Sequence, residues 1–312
     1  MKDKSFLTTD KMEGIGEYMS LVKYEILDKV GQEGSFTRAA EQLGLTQSAV
    51  SHAISSLEKE FGFALIHRGR GGITLTSEGD MMLFEIRKVL AAQESLAQEA
   101  AKILGFARGK VRIGVISSIS SNWMPTIIQL MEQYYPQIEV ELFEGDYYEI
   151  EQWLYSGQID CGFLNEMNNA QYNFLPLVKD RLLCIVHEHH EMANEPYAKI
   201  EDIANYPFIM ISYNGNHDIE RLFNEANVKP NVRFKLYEEM GILSMVSHEL
   251  GITILPELVL NKNMTKNLVM LPLEQDSYRT IGLVTKKTRS PATKKFVEIL
   301  LRWLEEREML SV

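Results

Sequence analysis

Residues 34–61 read GSFTRAAEQLGLTQSAVSHAISSLEKEF, and the placing of glycines, hydroxyls and apolar side chains there decides how the chain is organised. Ser35 precedes a run in which Phe36, Ala39, Ala40 and Leu43 share one helical face, and Gly44 closes it. Thr46 stands where a second helix is capped, and Ala49, Val50, Ile54, Leu57 and Phe61 form that helix's inward face. A short helix, a tight turn carrying glycine and a second helix have the spacing of a helix-turn-helix. The exposed opening of the second helix then carries Thr46, Gln47, Ser48, Ser51 and His52. A glutamine amide pairs with adenine in a major groove, serine hydroxyls serve base edges or phosphates, and histidine donates to a phosphate or a guanine acceptor. Taken singly, each of these is an ordinary solvent-facing residue; the shared face is what gives them weight.

Upstream, Leu21, Tyr24, Leu27 and Val30 recur at helical spacing from about Tyr18, and residues 1–17 read as a loose extension. Downstream, Ala64 to Thr76 reads as two short strands around a glycine-rich loop, a wing with Arg68 and Arg70 at its flanks. Both arginines suit phosphates or a minor groove, although Arg68 at the wing base equally suits a bracing role. Arg38, on the first helix, either touches a DNA backbone or pairs locally with Glu41 or Glu58. Thr76 caps a long helix to about Leu104, with Glu78 and Asp80 near its positive end. Along it Met82, Ile86, Val89, Gln93, Leu96, Ala100 and Ile103 repeat at spacings of four and three. That is the seam of a two-stranded helical interface, or a stripe buried against the chain's own domains.

From Lys110 the pattern changes to Val111–Ile116 as a strand, Trp123–Tyr134 as a helix, Ile138–Phe143 as a strand, Ile150–Leu154 helical and Ile159–Leu164 as a strand. A second round follows, with apolar runs at Leu182–Val186, Phe208–Ile211, Val232–Leu236 and Gly251–Leu255 and helices at Ile219–Asn227 and Gly241–His248. A strand at Thr280–Val284 and a helix from Ala292 to Arg307 return the chain to the first lobe. The alternation predicts parallel sheets covered by helices in two α/β lobes, with a ligand cleft between them. Ser117, Ser118 and Ser120, after the first strand, are candidates to hold an anion there, or one caps a helix and the others fill a turn. Asp146 either faces the same cleft, favouring a donor or cation, or caps the next helix.

The sequence has 312 residues, 45% hydrophobic and 24% charged, with a net charge of -11. The length suits two or three cores. Up to Gly109 there are 13 Lys/Arg against 15 Asp/Glu, and from Lys110 onward 19 against 28. Nucleic-acid contact must therefore rest on placed groups rather than bulk attraction. The absence of a long apolar run and of a secretion-signal pattern predicts a cytoplasmic protein without a membrane partner. Cys161 and Cys184 read as reduced, partly buried thiols. Phosphate-loop, nucleophile-elbow and zinc-helix motifs are absent, and His187, His189 and His190 read as a polar loop after a strand. No catalytic residue, cofactor or metal is expected. The alternative to a regulator is a ligand-binding module or protein-interaction adaptor without specific DNA binding.

The run Gly34 to Ser51 closely resembles the head of the LysR-type transcriptional regulators. Ser55–Leu57–Glu58, Phe61–Gly62, Leu65–Ile66–His67–Arg68 and Leu75–Thr76–Ser77–Glu78–Gly79 continue the likeness. The resemblance implies a winged helix-turn-helix over 18–79, a linker and dimerisation helix over 80–105, and an effector-binding domain over 110–312. The last is expected to be a two-lobed α/β domain like periplasmic binding proteins, with lobe I at about 110–180 and 285–312 and lobe II at about 181–284. It implies double-stranded DNA with an imperfect two-fold operator, a small-molecule effector, a homodimer through the linker helix assembling as a dimer of dimers, contact with RNA polymerase, and control of metabolic genes. The family's pocket serine or threonine falls at Ser117–Ser118. Two departures stand out: His52 replaces the arginine many members carry, and Asp146 replaces a small or hydroxyl residue, which weakens the case for a simple anionic effector.

Overall fold

The computed structural model describes residues 20–69, 72–104, 107–167, 169–212, 218–260 and 266–310. It divides into two compact units near Ala97. The first opens with α1 (Leu21–Glu33), α2 (Phe36–Leu43) and α3 (Gln47–Phe61). Ser35 caps α2 through the Arg38 amide, and Gly44 ends it at φ 64°, donating back to the carbonyls of Ala40 and Glu41. That left-handed residue, open to glycine without strain, turns the chain tightly enough for Thr46 to begin the next helix. Tyr24, Leu27, Val30, Phe36, Ala39, Val50, Ile54 and Leu57 close into one core.

The hairpin of β1 (Ile66–Gly69) and β2 (Gly72–Leu75) is antiparallel, pairing Ile66 with Leu75 and Gly69 with Gly72. Arg70 lies outside the described residues. Glu58 of α3 fixes the hairpin's start by accepting from the amides of Leu65 and Ile66 at 2.9 and 3.3 Å. α4 (Ser77–Ile103) follows, capped by the Thr76 hydroxyl. Its apolar stripe is used in two ways. Met82, Leu83 and Ile86 pack into the head's core, whereas Val89, Leu96 and Ile103 are 42%, 74% and 84% exposed. The early half of the expected seam is thus taken by the head itself, because the first turns of α4 lie against α1, where Arg87 pairs with Asp28 at 2.6 Å.

In the second unit β3 (Gly109–Val115) leads into α5 (Ser117–Asn122) and α6 (Met124–Tyr134), then β4 (Ile138–Glu144), α7 (Tyr147–Tyr155) and β5 (Cys161–Leu164). β6 (Tyr172–His187), α8 (Ile200–Ile203), β7 (Pro207–Ile211), α9 (Asp218–Glu225), β8 (Asn231–Leu236) and α10 (Glu239–Ser247) follow. β9 (Thr253–Pro256), β10 (Leu268–Pro272), β11 (Tyr278–Lys286) and α11 (Pro291–Glu305) complete the unit. The strand order is β10-β6-β11-β5-β3-β4, with β9 also on β6 and with β7 paired to β8. β3 pairs in parallel with β4 and β5, and β7 with β8, but β6 and β11 run antiparallel to each of their partners.

The expected parallel pairing thus holds within β3, β4 and β5 and within β7 and β8, while the crossing strands β6 and β11 add antiparallel pairs. The 16-residue β6 passes through both lobes, pairing with β11 over its first part and with β9 and β10 over its last. Alternating apolar runs do not distinguish a returning strand from a crossover. Two cores result, one around Trp123, Phe163, Phe296 and Trp303, the other around Phe208, Phe223, Ile242 and Ile254. Gly114 and Gly162 are register partners, and a Cβ on either would meet Ile150 of α7 within 2.9 Å. Their bareness lets α7 lie close on the sheet and sets the position of the loop before it.

Candidate functional site

The first candidate surface is the opening of α3. Thr46 adopts extended φ/ψ, and its hydroxyl accepts from the Ala49 amide at 3.2 Å and lies 3.0 Å from the Ser48 hydroxyl. It is first of all the helix cap. Gln47, Ser48 and His52 are exposed and Ser51 is half-buried, so the polar face foreseen from the spacing is open to solvent. At the helix's positive end, such a face suits a phosphate or base acceptor. Arg38 is held locally, though by neither expected partner: its guanidinium contacts the main-chain carbonyl of Glu33 and lies 3.4 Å from that residue's carboxylate. Arg68 reaches the Ser55 hydroxyl at 3.2 Å and sits 5.3 Å over the Phe36 ring, a brace made through a hydroxyl and an aromatic face.

The second candidate is a cleft of about 310 Å³ between the two lobes of the second unit. Lobe I contributes Ser117, Ser118, Glu144 and Asp146, and lobe II contributes Tyr237, Glu238 and Glu239. The serine run is not a loop, as its spacing suggested, but the six-residue α5, which breaks from α6 at Trp123. Ser117 donates to Glu239 across the cleft at 2.9 Å, and Ser120 donates to Glu144 at 2.6 Å. Asp146 accepts from the Glu149 amide at 2.8 Å while its own amide donates to the Glu149 carboxylate at 2.9 Å, a reciprocal cap on α7 at the cleft wall.

At the floor lies Arg279 of β11, 3% exposed. Its Nε and Nη2 donate to Asp180 at 2.9 and 2.8 Å, and Nη2 donates also to Ser118 at 2.9 Å. Asp180 is the register partner of Arg279 on β6, so the ion pair is built into the crossing of the two strands. The other Asp180 oxygen accepts from the Leu258 amide at 3.0 Å. The Tyr147 side chain is 6% exposed, and its hydroxyl, near Arg279, has no hydrogen-bond partner of acceptable geometry. Burial pushes that phenol up. Burial likewise pushes the nearby Asp218 carboxyl up, with Arg221 and Arg279 opposing. Arg279, Asp180, Glu239, Glu144 and Tyr147 escaped sequence reasoning. The available signal was a charged residue abutting an apolar strand run, Asp180 before Leu182–Val186 and Arg279 before Ile281–Val284.

A winged helix-turn-helix followed by a two-lobed α/β unit with a polar cleft defines a class of ligand-responsive DNA-binding proteins, and comparison with known proteins agrees. Residues 21–80 match the bacterial regulatory helix-turn-helix protein of the lysR family, and residues 105–305 match the LysR substrate binding domain. The chain belongs to the LysR family of transcriptional regulators; it is not an enzyme. An uncharacterised HTH-type transcriptional regulator of Bacillus subtilis, YvbU, is 31% identical over 285 residues, covering 90% of this chain and 97% of the relative. The DNA-binding transcriptional dual regulator OxyR of Escherichia coli is 26% identical, covering 85% and 89%. Among solved structures, a full-length OxyR variant from Pseudomonas aeruginosa shares the fold with a TM-score of 0.72 at 20% identity, over 92% of this chain and 94% of that one. The effector binding domain of QuiR in complex with shikimate matches at a TM-score of 0.58 and 26% identity, over 64% of this chain and 98% of that domain.

Proposed function

We propose that this regulator reads an imperfect two-fold operator through the opening of α3 and is switched by a small molecule held in the cleft. Gln47, Ser48, Ser51 and His52 contact base edges and phosphates, Thr46 sets the helix end that presents them, and Arg38, Arg68 and Arg70 face the phosphate backbone. The observation that supports this most is the solvent exposure of Gln47, Ser48 and His52 together at one helix terminus. The exposed Val89, Leu96 and Ile103 pair two chains through α4, and the dimers pair again on the operator. Closure of the lobes on effector then alters the spacing between dimers, the DNA bend and contact with RNA polymerase at promoters of metabolic genes. A DNA-reading role supports a cytoplasmic location; separately, no described helix is long and apolar enough to cross a membrane.

Thiol chemistry is a poor candidate for the switch, although one relative is named a hydrogen peroxide-inducible genes activator. Cys161 and Cys184 are fully buried, tighter than their sequence suggests, and burial pushes the Cys184 thiol up to about 12 and Cys161 well above its usual value. A thiol so placed is a weak nucleophile. Footprinting of the purified protein on the DNA flanking its own gene tests the reading. Protection of a short site with imperfect two-fold symmetry is expected, with Leu96→Glu converting the dimer to a monomer in sedimentation. Binding that ignores sequence would instead identify a module that senses a ligand without addressing DNA.

A further inference from the structure

We propose that the cleft selects a small organic cation, which presents an ammonium or guanidinium group to Glu239 and Glu144. The inference rests on the reading of the cleft as the effector site. Glu144, Asp146, Glu149, Glu238 and Glu239 all line the space, and Arg279 is the one cationic residue among its described lining. Arg279 does not offset them, because two of its nitrogens are within 2.9 Å of the buried Asp180 carboxylate. Asp146 and Glu149 satisfy each other's backbone amides, but their charge stays at the wall. The Ser117 hydroxyl, which would greet an anion, donates instead to Glu239. An anion entering there would lie against the Glu239 and Glu144 carboxylates, and like charges so close repel.

Two further observations point to an occupant. Glu239, 8% exposed, lines the cleft beside a floor whose buried carboxylates already have cationic partners, Asp180 in Arg279 and Asp218 in Arg221 at 3.2 Å. A bound cation brings a group of opposite charge to the Glu239 carboxylate. The unpartnered Tyr147 hydroxyl, in a side chain more than nine-tenths buried, adds a hydrogen-bonding group at the same place. A bare metal ion fits less well. Among the described residues, the grouping with three ligand atoms within 4.8 Å of one another is His187, His189 and Glu249, none of which lines the cleft. The cleft's 310 Å³ instead falls within the range of small-molecule pockets, about 300–1,000 Å³.

Isothermal titration of the full-length protein with agmatine and putrescine, against succinate and shikimate at matched ionic strength, tests the charge class. One cation per chain is expected, bound more weakly as salt rises. Glu239→Gln should weaken it about tenfold or more, the usual effect of removing a charge-assisted hydrogen bond. Glu238→Gln, on the exposed wall, should weaken it less, and serves if the buried variant does not fold. An anion that binds more tightly than either cation, and is lost in Ser117→Ala, overturns the charge class and leaves the effector reading standing. A cation held equally by wild type, Glu239→Gln and Glu238→Gln also overturns it. Uptake of neither class, with a DNA footprint that no probe alters, overturns the charge class and counts against the effector reading as well.

Discussion

The head and the cleft both place hydroxyl side chains at the opening of a helix, and they use them in opposite ways. At α3 the neighbours of the capping Thr46 stand in solvent, with Gln47 and His52 exposed. At α5 the hydroxyls are engaged by the protein's own groups: Ser117 by Glu239, Ser118 by Arg279 and Ser120 by Glu144. A surface that must meet a long, uniform polyanion keeps its donors open, and flanking phosphates fix their register. A cleft that must distinguish one small molecule from others balances its polar groups internally, so that a ligand has to displace particular partners.

The largest effect that sharpens this contrast is expected at Arg279. Arg279→Met leaves Asp180 buried without its ion-pair partner and should destabilise the sensing unit by about 3–5 kcal/mol in denaturant unfolding. Arg68→Met in the head removes an exposed brace and should cost under about 1 kcal/mol. Similar losses at both positions would erase the distinction between a self-satisfied cleft and an open head. The caps come next. Thr46→Ala and Asp146→Ala each remove a side-chain acceptor from a helix terminus and should lower stability by about 1 kcal/mol. Asp146→Asn keeps the cap, so a loss as large as that of Asp146→Ala would show that the charge, not the cap, stabilises the wall.

The smallest effect is a pH dependence at the floor. Burial holds the Asp218 carboxyl above its ordinary value of 3.8. Its favourable contribution is therefore complete below 3.8 and declines as pH rises through the folded value. Asp218→Asn should gain stability relative to wild type as pH rises over that window in thermal unfolding. A difference that stays constant with pH would contradict this account of the floor.

Legibility in the sequence follows the same division. The head's proposed reading face sits on one helix and its cap, within a few residues of chain, so spacing alone brings Thr46, Gln47, Ser51 and His52 together. The cleft joins residues far apart in sequence: Ser117 meets Glu239 and Ser118 meets Arg279 across 122 and 161 positions. No periodicity reports such a meeting. The serines and Asp146 were visible as loop residues after strands, but their partners were hidden within strands and at the start of α10. The antiparallel course of β6 was hidden for a related reason, since an apolar run gives no strand direction. Arg38 shows the reverse case, where a local partner, Glu33, prevailed over the carboxylates suggested by sequence.

The central claim is that the exposed opening of α3 reads bases, and paired affinities for operator and random DNA test it most directly. Gln47→Ala should weaken operator binding by about 1–3 kcal/mol while leaving random-sequence binding nearly unchanged at the same salt concentration. Equal losses on the two DNAs, or none on either, would contradict it.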